Sequence, residues 1–202
     1  MFNSYLVPSI LTIALLSACS LGEAPPAPAN QLTRQEIKAA WEKSMSKSAD
    51  HALLEEMSGT WNASVKFWAQ ARSEPAVSTA KSIYKSILNG KFLIEDYQGT
   101  YSEKSYQGMS IMGYDTILQK FNNYWVDNMG TGAIYSEGTY NSETKTISLN
   151  GEVTDPITKT KRPTLSTLKI IDKDNHLLEM YDLLPGGKKF KTLEIEYKRI
   201  SQ

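Results

Sequence analysis

The chain has 202 residues, of which 41% are hydrophobic and 22% are charged, so it has room for one globular domain and an N-terminal extension. Its 22 Lys and Arg residues balance its 22 Asp and Glu residues. A net charge of zero gives no electrostatic support for a nucleic-acid partner. The composition therefore predicts one folded core that does not bind nucleic acid.

The first 18 residues have the pattern of a signal peptide. The apolar run at 7–16 is too short to cross a bilayer and has the length of a signal-peptide core. It ends in Leu16-Ser17-Ala18-Cys19, which resembles a bacterial lipobox, in which the bond before the cysteine is cut and the cysteine is acylated. An ordinary cleaved signal peptide is the alternative, and residues 1–5 lack the usual basic residue. We expect Cys19, the only cysteine, to carry a lipid such as palmitate and so to anchor the protein to a membrane.

Residues 19–31 are predicted to be a tether. The segment contains Pro25, Pro26 and Pro28 and few large apolar residues. Proline-rich chain is extended by roughly 3 Å per residue, so about ten residues hold the folded part about 30 Å from the membrane. Ser20 after the cysteine resembles the signal that directs lipoproteins to the outer membrane. The expected location is the periplasmic face of that membrane.

Residues 32–57 are predicted to be helical. Thr33 and Glu36 match a capping box, and Ile37, Trp41 and Met45 recur on one helical face. We expect this helix to run to about Lys47 with its apolar face against the rest of the domain. A second short helix is predicted at 51–57, and Gly59 ends it where the first strand begins.

Residues 58–202 are predicted to form an antiparallel β domain, because apolar and polar residues alternate with period 2 between turn residues. Residues 106–139 read as three strands joined by tight turns, and Asn89-Gly90 predicts a two-residue hairpin turn. Further strands are predicted at 61–67, 82–88, 91–97, 145–153, 164–171, 176–183 and 189–200. Since closure removes exposed strand edges, the pattern favours an up-and-down barrel of about ten strands. A two-sheet sandwich is the alternative.

Gly59-Thr60-Trp61 in the first strand, together with Arg199 in the last, resembles the pairing of lipocalins and fatty-acid-binding proteins, whose fold is the calycin barrel. The resemblance implies structural roles in barrel closure for Gly59, Trp61 and Arg199. The tryptophan would plug one end of the barrel. The arginine would lie over its ring in a cation–π contact, which contributes about 0.5–2 kcal/mol.

A more specific resemblance covers about residues 50–199 and is to a family of uncharacterised bacterial proteins classed as a domain of unknown function. The matching residues are His51, Leu54, Gly59-Thr60-Trp61, Gly90-Lys91-Phe92-Leu93, Gly108, Gly113-Tyr114-Asp115, Trp125-Val126-Asp127-Asn128-Met129-Gly130-Thr131, Glu179-Met180-Tyr181 and Glu194-Ile195-Glu196-Tyr197-Lys198-Arg199. The resemblance implies a calycin-like barrel and brings no known activity or ligand.

No group of residues specifies a reaction. Asp115 and Asp127 are candidate paired carboxylates, but a hairpin turn at 116–118 places them at opposite ends of two strands, about 30 Å apart. His51 and His176 lack a second metal ligand at coordinating spacing, and the nucleophile motif G-x-S-x-G is absent. The sequence therefore favours a non-catalytic protein without a metal or cofactor.

The aromatic strands indicate a pocket wall or, as the alternative, a filled core. With the turn near Ile117, Trp125 is predicted to face Met109. We place Phe121, Asn123, Trp125 and Asp127 on the inward face. The candidate ligand contacts are Tyr114, Trp125, Asp127 and Tyr181.

These observations favour a lipid-anchored periplasmic barrel that binds a small apolar or amphipathic molecule. The rival hypothesis is a non-catalytic, membrane-tethered module that docks a protein partner. An internal space of several hundred Å³ is typical of the first, whereas a packed interior with an exposed apolar patch is typical of the second.

Overall fold

The structure, a computed structural model, describes residues 32–201. The predicted signal peptide, Cys19 and the tether lie outside these residues. Two helices come first, α1 (Arg34–Met45) and α2 (Ala49–Glu56). The strands are β1 (Gly59–Phe67), β2 (Ala76–Ile87), β3 (Phe92–Tyr101), β4 (Lys104–Asp115), β5 (Lys120–Asp127), β6 (Ile134–Asn141), β7 (Thr146–Thr154), β8 (Lys161–Asp172), β9 (Asn175–Leu183) and β10 (Lys189–Ser201). A short 3₁₀ turn, Pro185–Gly187, precedes β10.

The ten strands form a closed antiparallel barrel. Each strand pairs with the next along the chain, and β10 pairs with β1 to close the sheet. This arrangement confirms the predicted up-and-down barrel and excludes the sandwich. Because side chains alternate between the two faces of a strand, every second residue points into the barrel.

The two ends of the barrel differ, since α2 covers only one of them. Leu54 of α2 and Met57 directly after it are each 1% exposed, and α2 contacts β2, β3 and β4. We call this end the closed end. The opposite end, where β1 finishes at Phe67 and β5 at Asp127, is called the open end.

Trp61 and Arg199 seal the closed end. Trp61 is fully buried, and its indole Nε1 donates a hydrogen bond to the carbonyl of Met57 at 3.0 Å. The guanidinium carbon of Arg199, the β10 partner of Trp61, lies 4.1 Å from the centre of the indole. The guanidinium also donates to the carbonyls of Glu56 and Ser58 at the end of α2. The predicted barrel closure is confirmed.

The turn between β2 and β3 is wider than the sequence predicted. Ile87 pairs with Phe92, which leaves a loop of four residues rather than two. Leu88, Asn89 and Gly90 have φ angles of 51°, 60° and 79°. Three successive left-handed residues explain the difference, because a two-residue type I′ turn uses only two of them.

The turn between β4 and β5 also contains four residues, since Asp115 pairs with Lys120. The Asp115 side chain accepts hydrogen bonds from the backbone N–H groups of Ile117 and Leu118 at 2.7 and 2.9 Å. This Asx turn explains why an aspartate ends the strand. Asp115 is a turn residue at the closed end, far from Asp127, as the hairpin argument predicted.

The four-residue turn shifts the strand register by one residue from the predicted one. Trp125 is opposite Ser110, whereas Met109 pairs with Val126 on the outside of the barrel. The predicted pair of Met109 and Trp125 is therefore wrong. A turn centred on Ile117 would have an odd number of residues, and a single residue of register moves each pairing to the other face.

The expectation that α1 packs against the barrel is also wrong. No residue of α1 is buried, and Ile37, Trp41 and Met45 are 44%, 67% and 57% exposed. The hydroxyl of Thr116 donates a hydrogen bond to the Lys43 carbonyl at 3.2 Å and joins the helix end to the β4–β5 turn. Helical periodicity shows which residues share a face, but it does not show what covers that face.

Neither of the two described helices is long and apolar enough to cross a membrane.

Replacement of Trp61 by alanine should lower the free energy of unfolding by about 3–5 kcal/mol, because it removes a fully buried ring and leaves a cavity under Arg199. Trp41→Ala is the matched control. This ring is exposed, so its loss should change stability by no more than about 0.5 kcal/mol. Urea denaturation followed by circular dichroism measures both, and equal effects would contradict the assigned role of Trp61.

Candidate functional site

The closed half of the barrel interior is a packed core. Trp61, Leu93, Phe121 and Ile147 point inward from four different strands, and each is 1% exposed or less. Side chains with so little exposed surface have no water-sized space beside them. A ligand could enter the barrel only from the opposite half.

The open half contains several small inward side chains among large ones such as Phe67, Ile134 and Met180. The strand pairings place nine small residues on the inward face: Ser78, Ala80, Gly99, Gly108, Ser110, Ser136, Gly151, Thr164 and Ser166. Small side chains fill less of the barrel cross-section than the large residues of the closed half. Ser78, Ala80 and Ser166 are partly exposed, whereas Ser110, Ser136 and Thr164 are buried, so the open half is the more exposed part of the interior.

Three aromatic rings line one side of the open half. The ring of Tyr97 lies 5.8 Å from that of Tyr106 and 6.0 Å from that of Trp125, in edge-to-face geometry in both cases. Tyr97 is buried, whereas Tyr106 and Trp125 are partly exposed. A Cβ atom on Gly108 would lie 2.3 Å from the Trp125 ring, so this position requires glycine for the indole to lie against the strand.

Asp127 fixes two of these rings. Its Oδ2 accepts hydrogen bonds from the indole N–H of Trp125 at 2.9 Å and from the hydroxyl of Tyr106 at 3.1 Å. Its Oδ1 accepts the backbone N–H of Met129 at 2.9 Å. Burial, together with the charge of Asp127, raises the pKa of the Tyr106 hydroxyl. The tyrosine therefore remains a neutral donor to the carboxylate at physiological pH.

Glu95 is the acidic side chain that lies deepest in the barrel, and no other Asp or Glu among residues 32–201 is buried. Hydroxyl groups surround its carboxyl. Ser82 donates to it at 2.6 Å, Ser110 at 3.3 Å and Tyr197 at 3.4 Å. Burial raises the pKa of Glu95, and the hydroxyl hydrogen bonds oppose that rise. Among the described residues, no lysine, arginine or histidine forms a salt bridge with Glu95. Its carboxyl group is therefore held by hydroxyl hydrogen bonds alone.

Asn123 contributes a polar atom to the same wall. It points inward from β5 between Met112 and Ser136, its partners on the neighbouring strands. Its side-chain oxygen is buried and has no hydrogen-bond partner among the described residues. A buried acceptor without a donor costs about 1–3 kcal/mol, and a ligand or water could offset this cost.

The open half is negatively charged. No lysine or arginine occupies an inward position of the described strands between the closed end and the rim. At the rim, Arg162 already pairs with Asp182 at 2.6 Å and with Asp155 at 3.3 Å. Lys104, which is exposed at the rim, shares the inward face of β4 with Tyr106, so the described strands place no cation beside Asp127 between the closed end and the rim.

The structure brings together two of the four predicted ligand contacts, Trp125 and Asp127. Tyr114 lies at the closed end, where its ring centre is 4.9 Å from that of Phe121 and 5.7 Å from that of His51. Tyr181 points to the outside of the barrel, and the ammonium of Lys191 lies 6.0 Å from its ring. The predicted inward face of β5 is confirmed, since Phe121 is buried and Trp125 packs against the core.

Sequence reasoning missed Glu95, Tyr97 and Tyr106. A signal for Glu95 was present, because it shares a strand face with Leu93 and Tyr97 and is thus a charged residue in phase with buried ones. Tyr106 had no such signal. Its role depends on contact with Asp127, which is 21 positions away in the sequence.

The outside of the barrel has two shallow depressions. One, of about 360 Å³, lies beside Lys66, Trp68 and Lys191. Both lysines already form ion pairs with Glu194 at 2.8 Å, so their charges are not available for an anion. The other, of about 370 Å³, lies beside Tyr124 and Tyr135. In the part of the chain that the structure describes, no three His, Cys, Asp or Glu side chains are grouped so as to hold a metal ion.

A closed antiparallel barrel sealed by Trp61 and Arg199 defines a calycin-like β-barrel protein. The chain belongs to the family described as proteins of unknown function (DUF1579), whose model matches residues 46–199.

Two solved structures share the fold. Rv2717c from M. tuberculosis superposes with a TM-score of 0.53 and 14% identity, over 76% of this chain and 99% of that chain. The S-type phycobiliprotein lyase CPES from Guillardia theta superposes with a TM-score of 0.51 and 7% identity, over 77% of this chain and 94% of that chain. The search of curated proteins finds no match.

Substitution of Glu95 by glutamine should make stability less dependent on pH. Because the folded protein has a raised Glu95 pKa, its contribution is complete below the ordinary value of 4.5 and is lost as pH rises through the folded pKa. Glutamine cannot ionise, and the surrounding hydroxyls can rotate to accept its N–H groups. At high pH the variant should therefore be more stable than the natural protein by about 1–3 kcal/mol.

Urea denaturation at pH 4 and at pH 9 measures this difference, with Glu74→Gln, a change at an exposed residue, as the control. Parallel pH profiles for Glu95→Gln and the natural protein would contradict the buried, unpaired carboxyl.

Proposed function

We propose that the barrel binds a small amphipathic molecule in its open half. One observation carries the proposal. The open half combines small inward residues with partly exposed aromatic rings and the carboxyl group of Asp127, whereas the closed half is filled. A mainly apolar wall with a few oriented polar groups is the usual composition of a small-molecule site.

The parts of the wall have different roles in this proposal. The rings of Tyr106 and Trp125 offer apolar surface on one side, and Leu193 and Met180, a pair on β10 and β9, face inward on another. Asp127 is already oriented by two hydrogen bonds. A ligand would bury its apolar part against these rings and aliphatic side chains and direct a polar part toward Asp127.

Binding rather than catalysis is proposed because the open half lacks a nucleophile with a suitable base. The described histidines, His51 and His176, both lie at the closed end, beside Tyr114 and Trp61 respectively. The hydroxyls of Ser82 and Ser110 donate to Glu95, but all three side chains are buried and are not exposed to a substrate.

We also propose that the protein is anchored through Cys19 at the periplasmic face of the outer membrane. The lipobox-like sequence and the proline-rich segment support this. The uncovered face of α1 gives further support, because Ile37, Trp41 and Met45 form an exposed apolar stripe that bilayer headgroups and acyl chains could cover. About 14 residues separate Cys19 from α1, and at roughly 3 Å per residue they reach about 40 Å at most. The helix would therefore stay within reach of the anchoring membrane.

A neutral fluorescent probe, N-phenyl-1-naphthylamine, should bind the purified protein at micromolar concentrations and quench tryptophan emission. Trp125→Ala should weaken binding at least about tenfold, because it removes the largest ring of the open half. Trp68→Ala removes a ring beside the outer depression and should leave binding unchanged. Fluorescence titration measures all three proteins.

Two results would contradict the binding proposal. One is the absence of probe binding to the natural protein. The other is a loss of binding in Trp68→Ala with none in Trp125→Ala, which would place the probe on the outer wall.

The variant Cys19→Ser, made in the full chain, should move from the membrane fraction to the soluble fraction and lose labelling by a fatty-acid analogue. A second variant with Ile37, Trp41 and Met45 replaced by serine should keep the label, because its cysteine is intact. Membrane fractionation and labelling separate the two contributions, and an unchanged distribution of Cys19→Ser would contradict the anchor.

A further inference from the structure

We infer that the open half of the barrel selects an organic cation, an amine or quaternary ammonium ion that carries an apolar group. This inference rests on the proposed function and adds the charge of the ligand to it. The inference is based on the rings of Tyr97, Tyr106 and Trp125 and on the carboxylate of Asp127. We call these four side chains together the aromatic cage.

The aromatic cage presents ring surface and negative charge to the same region. Trp125 and Tyr106 come from neighbouring strands, and both bind the same oxygen of Asp127. Each also packs at its edge against Tyr97, so the three rings do not share one plane. A cation within about 6 Å of such ring centres is attracted by their negative faces, and a nearby carboxylate increases this attraction.

The geometry of the cage is fixed before any ligand binds. The hydrogen bonds to Asp127 are 2.9 and 3.1 Å long, and Gly108 leaves the space in which the Trp125 indole lies. A preformed cage loses little conformational entropy on binding. This arrangement favours a rigid head group, such as trimethylammonium, that touches several rings at once.

Among residues 32–201, the interior offers an anion no free cation below the rim, where Lys104 is exposed on the inward face of β4. The rim residue Arg162 is held by Asp155 and Asp182, and the Arg199 guanidinium lies behind Trp61 at the closed end. A fatty-acid carboxylate that entered the open half below the rim would meet the carboxyl group of Asp127 without a compensating cation among the described strands. Like charges in a partly desolvated space repel strongly, so anions should be excluded.

Asn123 adds an acceptor to the wall beside the cage, which a ligand with an N–H or O–H group can satisfy. Its inward oxygen is buried and lacks a donor among residues 32–201. Asn123 lies two residues from Trp125 on the same strand face, so a protonated amine at the cage would lie on the same wall as that oxygen and could donate an N–H to it, whereas a quaternary ammonium ion has no N–H to donate. An anion or an ether oxygen cannot satisfy it.

The test compares three head groups on one alkyl chain: octyltrimethylammonium, 1-octanol and octanoate. Each is titrated into the protein loaded with N-phenyl-1-naphthylamine, and displacement gives the dissociation constant. The cation should bind about tenfold more tightly than the alcohol, and octanoate should bind most weakly.

Asp127→Asn should reduce the preference for the cation over the alcohol about tenfold, because it removes the charge and keeps a polar side chain of similar shape. Asp96→Asn, which removes the same charge from the exposed face of β3, is the matched control and should keep the preference. Tyr106→Leu, which removes a ring and leaves the carboxylate, should lower it as well. If Asp127→Asn fails to fold by circular dichroism, Tyr106→Leu decides the outcome.

The possible failures are distinguishable. If 1-octanol displaces the probe and the cation binds no better, or if octanoate binds best, the cation inference is wrong and the proposed binding site stands. If the natural protein binds neither the probe nor any of the three compounds, the proposed function itself is wrong.

Discussion

The guanidinium of Arg199 joins three separate parts of the chain at the closed end of the barrel. It covers the Trp61 indole, donates to the carbonyls of Glu56 and Ser58 after α2, and donates through Nε to the Lys173 carbonyl in the β8–β9 turn at 2.8 Å. Only 6% of its side chain is exposed. A buried cation needs hydrogen-bond acceptors, and here backbone carbonyls of otherwise independent segments provide them. The barrel is therefore sealed at this end, and any entrance must lie at the other.

The chemistry of the two halves follows from this seal. At the closed end His176 stacks 4.4 Å from Trp61, and burial with the charge of Arg199 lowers the His176 pKa to about 4. The imidazole is thus neutral above that pH, so Arg199 is the positively charged partner of the Trp61 and His176 rings. The open half has the opposite character. Its cations lie at the rim, and the carboxyl group of Asp127 lies among aromatic rings and small residues. We propose that this asymmetry separates a structural half from a ligand-binding half.

The sequence predicted the features that depend on periodicity. It did not predict the features that depend on contacts between residues far apart in the chain. The alternating strands, the closed barrel and the meeting of Trp61 and Arg199 all follow from local pattern and closure, and all are confirmed. The register of Trp125 was wrong by one residue, because turn length depends on backbone conformation that composition does not determine. The predicted environment of α1 was wrong, since a sequence pattern cannot show what covers a helix face.

For the candidate site, Trp125 and Asp127 were predictable from the inward face of β5. Tyr106 was not, because its role depends on the strand pairing that places it beside Asp127.

The central claim is that the open half binds a molecule while the closed half holds the barrel together. The most direct measurement is a crystal structure of the protein grown with octyltrimethylammonium. We expect electron density for the ligand inside the barrel, with its nitrogen within about 6 Å of the Trp125 ring centre and its alkyl chain along the small inward residues. The closed half, from Trp61 to Phe121, should be unchanged. Density confined to the outer wall, or an open half occupied by repacked side chains at saturating cation, would contradict the account.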